Sequence, residues 1–165
     1  MWPVSAHFSD RHPLAVPSEL LGLPLDACPA SRRVVLVAVG DLDRRAVLGA
    51  RSARLIPAGH RRALHVVVDA AAARRVGLDW MTAQPSGMAL DIVDDMGGIA
   101  GTIAGVARRS IEAGAVDEVV VLVGQLSRRC ALRRLLHDGT GGAICRAVND
   151  VPGSVGVLVP VPLGP

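Results

Sequence analysis

The sequence predicts a doubly wound α/β domain: a five-stranded parallel sheet with helices on both faces, Rossmann-like in architecture. Three observations predict it. The runs Val34–Val39, Leu64–Val68 and Val119–Val123 are apolar and rich in β-branched residues, as strands buried on both faces must be. Between such runs lie stretches with apolar residues at helical spacing, and alternating strands and helices imply right-handed crossovers. The chain has 165 residues, half of them hydrophobic, long enough to bury a core as one domain.

Each element follows in order. A first strand near 33–39, expected at the centre of the sheet, ends in the turn signal Gly40-Asp41. Leu42, Ala46, Ala50, Ala53 and Ile56 then mark one helix face, and Pro57-Ala58-Gly59 stops it. A second strand near 63–69 closes at Asp69, and Ala70–Trp80 reads as a short Ala-rich helix. The third strand, near 88–93, alternates and carries Asp91, so it belongs nearer an edge. Asp94 or Asp95 is placed to cap a long helix that buries Ile99, Ile103, Val106 and Ile111 and stops at Gly114. A fourth strand near 118–124 ends at Gly124. Leu132, Leu135 and Leu136 read as helix, Gly139–Gly142 interrupts it, and Ala143–Val148 resumes it. A last strand near 154–161 completes the sheet. Residues 1–31, with Pro3, Pro13, Pro17, Pro24 and Pro29, form an irregular arm ahead of the domain at 32–165.

Composition narrows the function classes. The large aromatics are Trp2, Phe8 and Trp80 alone, so Val, Leu, Ile and Ala build the core. All 18 basic residues are arginine, interspersed with acids to a net charge of +3, without the clustered charge of a nucleic-acid binder. Cys28, Cys130 and Cys145 cannot all pair within one chain and make no CxxC, which fits reduced thiols in a cytoplasmic protein. No apolar run is long enough for membrane insertion and no secretory signal pattern opens the chain.

In open α/β sheets, ligands bind beyond the carboxyl ends of the strands, where the strand order reverses. That rim holds Gly40, Asp41 and Asp43, then Asp69, then Gly124 to Ser127. Arg128, Arg129, Arg133 and Arg134 follow, and Gly139-Thr140 opens a new helix, where backbone N–H groups and a hydroxyl suit a phosphate. The simpler reading of these residues is turns, caps and solvated arginines. Neither a Walker A motif nor GxGxxG occurs.

The element order, a glycine leaving the fourth strand and a later Gly-Thr helix start resemble the universal stress protein superfamily over roughly 32–161. Its nucleotide-binding members carry Gly-x2-Gly-x9-Gly-Ser/Thr after that strand. Here Gly124 matches the first glycine, Ser127 replaces the second, and Gly139-Thr140 come two positions late. The stretch Arg134-Leu-Leu-His137-Asp138-Gly-Thr140 is also similar to the soluble C-terminal domains of bacterial amino-acid permease-like proteins, of which this chain would be a free-standing version. The resemblance implies a universal-stress-protein type of fold and a non-enzymatic regulatory or stress-response module. It also implies an adenine nucleotide such as ATP, held weakly through Gly40, Asp41, Gly124, Ser127, Gly139 and Thr140. The alternative is a ligand-free homodimeric interaction module; a nucleotide hydrolase ranks last, since no nucleophile, base or metal set can be named.

Single residues add little. His65 reads as a satisfied core histidine, His137 as a helix C-terminal residue, Asp94-Asp95 and Asp41-Asp43 as caps, and Cys130 as an ordinary helix cysteine. The resembled family often pairs through its fifth strand, so a closed homodimer through Val155–Val159 is expected. Pro160 and Pro162 remove donors from one edge and limit the pairing.

Overall fold

The central strand is β1 (Arg33–Ala38), followed by α1 (Arg44–Ala53), β2 (His60–Val67), α2 (Ala70–Ala83), a 3-10 turn (Pro85–Gly87) and β3 (Ala89–Asp94). Then come α3 (Ile99–Glu112), β4 (Glu118–Ser127), α4 (Gly139–Asn149) and β5 (Ser154–Pro162). This computed structural model describes residues 32–127 and 139–162. The arm at 1–31, the expected helix around Leu132, Leu135 and Leu136, the four arginines after Ser127, Cys28, Cys130 and His137 lie outside the described residues. Every strand pair is parallel and the sheet order is β3-β2-β1-β4-β5, so the fold is a doubly wound α/β sheet.

Strand alternation sends β1 side chains to two cores. Val35, Val37 and Val39 pack with Ala46, Ala50 and Ala53 of α1 and with Val76 and Trp80 of α2. Leu36 packs on the other face with Ile103 and Ala107 of α3 and with Ile144 and Val148 of α4. Small residues on α1 let it lie close to the sheet: a Cβ on Gly49 would stand 2.8 Å from Val37. Trp80, the one large aromatic among the described residues, donates its buried indole N–H to the Met88 carbonyl at 2.8 Å.

Four boundaries or faces differ from the sequence reading. β2 starts at His60, because the chain already pairs with Val34 there. Its early Arg61 bonds the carbonyls of Ala53 and Ile56 at the end of α1, so a charged residue belongs in that strand. α3 takes Gly98 as its N-cap. Asp95 Oδ1 instead accepts from the Gly97 and Gly98 N–H groups and from the Thr102 hydroxyl. That anchor turns Thr102, Ile103, Ala104 and Ala107 inward and leaves Ile99, Val106 and Ile111 only partly buried. β4 does not stop at Gly124: pairing with β5 continues to Ser127 opposite Pro162. Finally, Gly139–Gly142 open α4 rather than interrupt a helix.

β5 is an edge strand with its outward donors largely removed. Gly156 N–H, on the side away from β4, is held by Asn149 Oδ1 at 2.7 Å, and Ser154 N–H by the Val151 carbonyl at 3.0 Å. Pro160 and Pro162 share that parity and have no N–H, which leaves Leu158. Among the described residues no helix is long and apolar enough to cross a membrane.

Candidate functional site

Two glycines look alike in the sequence and do different work. A Cβ on Gly124 would meet Arg45 Cβ at 2.7 Å and the Arg45 carbonyl oxygen at 2.9 Å, so this position lets the first turn of α1 lie against β4. Gly40 has nothing within 4 Å of a Cβ and faces open space. That space is a cavity of about 390 Å³ beyond the carboxyl ends of β1, β2 and β4. Crossovers run from β1 out to β3 on one side and from β4 to β5 on the other, so the cavity sits where the strand order reverses.

The floor of the cavity is apolar: Leu64, Val66, Ile103, Val123 and Ile144. Its polar rim comes from helix starts. Asp43 caps α1 through Oδ1, which accepts from the Arg45 and Ala46 N–H groups, and its Oδ2 pairs with Arg45 Nε at 2.6 Å. Asp69 caps α2, accepting from Ala72 N–H at 2.6 Å. Thr140 and Gly141 bring the first turn of α4 to the cavity, and that turn carries no acidic residue. The described rim thus holds the starts of α1 and α2, each closed by its own carboxylate, beside the first residue of α3, Ile99, and the first turn of α4.

Of the residues singled out in the sequence, Gly40, Asp41, Gly124 and Thr140 line this cavity. Gly139 begins α4 but is not among the residues that line it, and Ser127 is the last residue of β4. Sequence reasoning missed His65, which is buried and also lines the cavity, its Nδ1 2.9 Å from the Val39 carbonyl oxygen. One signal was present: a histidine two residues from the end of a buried strand lies close to the rim where ligands bind.

A second cavity of about 490 Å³ opens at the β3 edge between Trp80, Met81, Leu90 and Ile92. It is more apolar and its indole N–H is already bonded to Met88, so it offers shape with little chemistry. Among the described residues no group of three or more His, Cys, Asp and Glu is placed to hold a metal. Cys145 is on the buried face of α4, and burial raises its thiol pKa above the ordinary thiol value.

Sheet, crossovers and cavity define the class: a doubly wound α/β domain with a polar-rimmed cavity at its switch point. The model of the KimA potassium transporter C-terminal domain matches residues 31–161, and the chain belongs to that family. No curated protein matches the chain. Among solved structures, a variant short-chain dehydrogenase/reductase of Serratia marcescens is similar at 16% identity and a TM-score of 0.38. That match covers 75% of this chain and 52% of the dehydrogenase, so the chain spans about half the length of that enzyme.

Proposed function

We propose that this chain is a regulatory domain of a potassium transporter that senses an adenine nucleotide in the switch-point cavity. The family name supports the transporter half of the reading. The observation that carries the ligand half is the cavity itself. Its volume of about 390 Å³ falls in the range of small-ligand sites, its floor is apolar, and the first turn of α4 stands at its mouth. The base occupies the apolar floor, and the phosphates sit at the N–H groups of α4 with the Thr140 hydroxyl. The universal-stress-protein resemblance supports adenine as the base, since Gly124 and Gly139-Thr140 are the residues that carry it. Binding is weak, because Ser127 stands where that family places its second phosphate-loop glycine. The reading is non-enzymatic and assigns no residue a catalytic role.

Calorimetric titration with ATP tests it. The wild type binds with weak affinity, and Thr140→Ala weakens binding about fivefold by removing one hydrogen bond. No binding at millimolar ATP contradicts the reading. Binding indifferent to Thr140→Ala places the phosphates elsewhere.

The domain is further proposed to pair with a second copy through Val155–Val159. Val155 and Val157 are 45% and 38% exposed on one side of β5, and Leu158 is 39% exposed on the other. With Leu158 as the outward donor left without a partner among the described residues, the pairing is made chiefly by these side chains.

A further inference from the structure

His65 lies near the end of β2, is only 6% exposed, and lines the cavity. Its Nδ1 is 2.9 Å from the Val39 carbonyl oxygen. A carbonyl only accepts, so Nδ1 carries the proton and donates, and in the neutral ring Nε2 is a bare acceptor. Val39 is itself fixed, since its N–H donates to the Leu64 carbonyl at 2.9 Å. The ring is therefore pinned between two central strands in one tautomer.

Nε2 has no partner among the described residues. It is also absent from their buried, unpartnered side-chain atoms, of which Ser154 Oγ is the one example. A nitrogen that no described residue bonds and that is not among the sealed-off atoms, on a side chain this buried, meets the open space that the residue lines. Its polar surroundings also accept: the Asp41 carboxylate, and Asp69, whose Oδ1 is already taken by Ala72 N–H. Arg45, the guanidinium on this rim, is engaged by Asp43. This side of the cavity asks its ligand for N–H or O–H groups.

We propose that His65 Nε2 accepts a hydrogen bond from the amino group of a 6-aminopurine, so that the cavity selects this base over a 6-oxopurine. The inference rests on the nucleotide reading above and deepens it. The base is the apolar part of a nucleotide and takes the apolar depth, where Leu64, Val66 and Ile103 wall the cavity. Its amino edge then meets the acceptor. A 6-oxo group presents a lone pair to a lone pair and leaves both unpaired in a dry site.

The test is titration of the wild-type protein with ATP, with inosine triphosphate and with 2′-deoxy-ATP. Inosine triphosphate binds at least about tenfold more weakly than ATP, while 2′-deoxy-ATP binds like ATP. In His65→Phe, which removes the acceptor, the ratio between ATP and inosine triphosphate falls to about one. The wild-type ratio decides the matter even where that variant does not fold. Equal affinity for ATP and inosine triphosphate overturns the role of His65 and leaves the nucleotide reading standing. Loss of binding with 2′-deoxy-ATP but not with inosine triphosphate assigns the acceptor to a sugar hydroxyl and overturns the proposal. No binding of any of the three at millimolar concentration overturns the nucleotide reading, and this proposal with it.

Discussion

Glycine is where residue identity is most tightly dictated, and for reasons the sequence does not display. Gly124 and Gly156 are bare because another backbone lies on them: a Cβ on Gly156 would come within 2.6 Å of Cys145 Cα in α4. Gly40 is bare beside empty space. The two kinds separate experimentally. Gly124→Ala forces Arg45 and the first turn of α1 to move and lowers stability by about 1–3 kcal/mol in urea denaturation. Gly40→Ala changes stability by less than about 0.5 kcal/mol. Equal losses in both would mean that Gly40 is needed by the fold. The residue scale is also where sequence reading fell short. His65 and Ala63 are both buried in β2, and a histidine in an apolar strand looks like core from either side. Nothing in the string says that the Val39 carbonyl takes one ring nitrogen and leaves the other at a cavity.

At the scale of elements, long apolar runs were the legible part. Val34–Val39 and Val119–Val123 can be satisfied only by burial on both faces, and they became adjacent strands, with Val34 opposite Val119. Ends were harder, because pairing rather than composition sets them. β2 gains His60, Arg61 and Arg62 from its register against β1, and β4 gains Gln125 to Ser127 from its register against β5. The rotation of α3 depends on the Asp95–Thr102 hydrogen bond, a contact between loop and helix that periodicity cannot express. The β5 edge carries the prediction at this scale. Its two prolines and the Asn149 cap leave little for a long ladder, while Val155 and Val157 remain exposed. Light scattering at micromolar concentration should report about twice 17.1 kDa, and Val157→Arg should give the monomer. A monomeric wild type, or a dimer indifferent to that substitution, means that copies do not meet at this strand.

For the whole molecule, strand order decides where function can sit. Placing β1 at the centre and sending successive crossovers away from it in two directions leaves a gap between helix starts at the carboxyl ends of β1 and β4. The alternation of strand and helix was enough to foresee that rim, and Gly40, Asp41, Gly124 and Thr140 do converge there. It could not foresee that Gly124 serves helix packing. The most direct measurement is a two-dimensional amide NMR titration of the protein with ATP. The account predicts progressive shifts at Gly40, Asp41, His65, Thr140 and Gly141, with Trp80 and Ile92 at the β3 edge unmoved. Shifts confined to the β3 edge, or a spectrum unchanged at millimolar ATP, would contradict it.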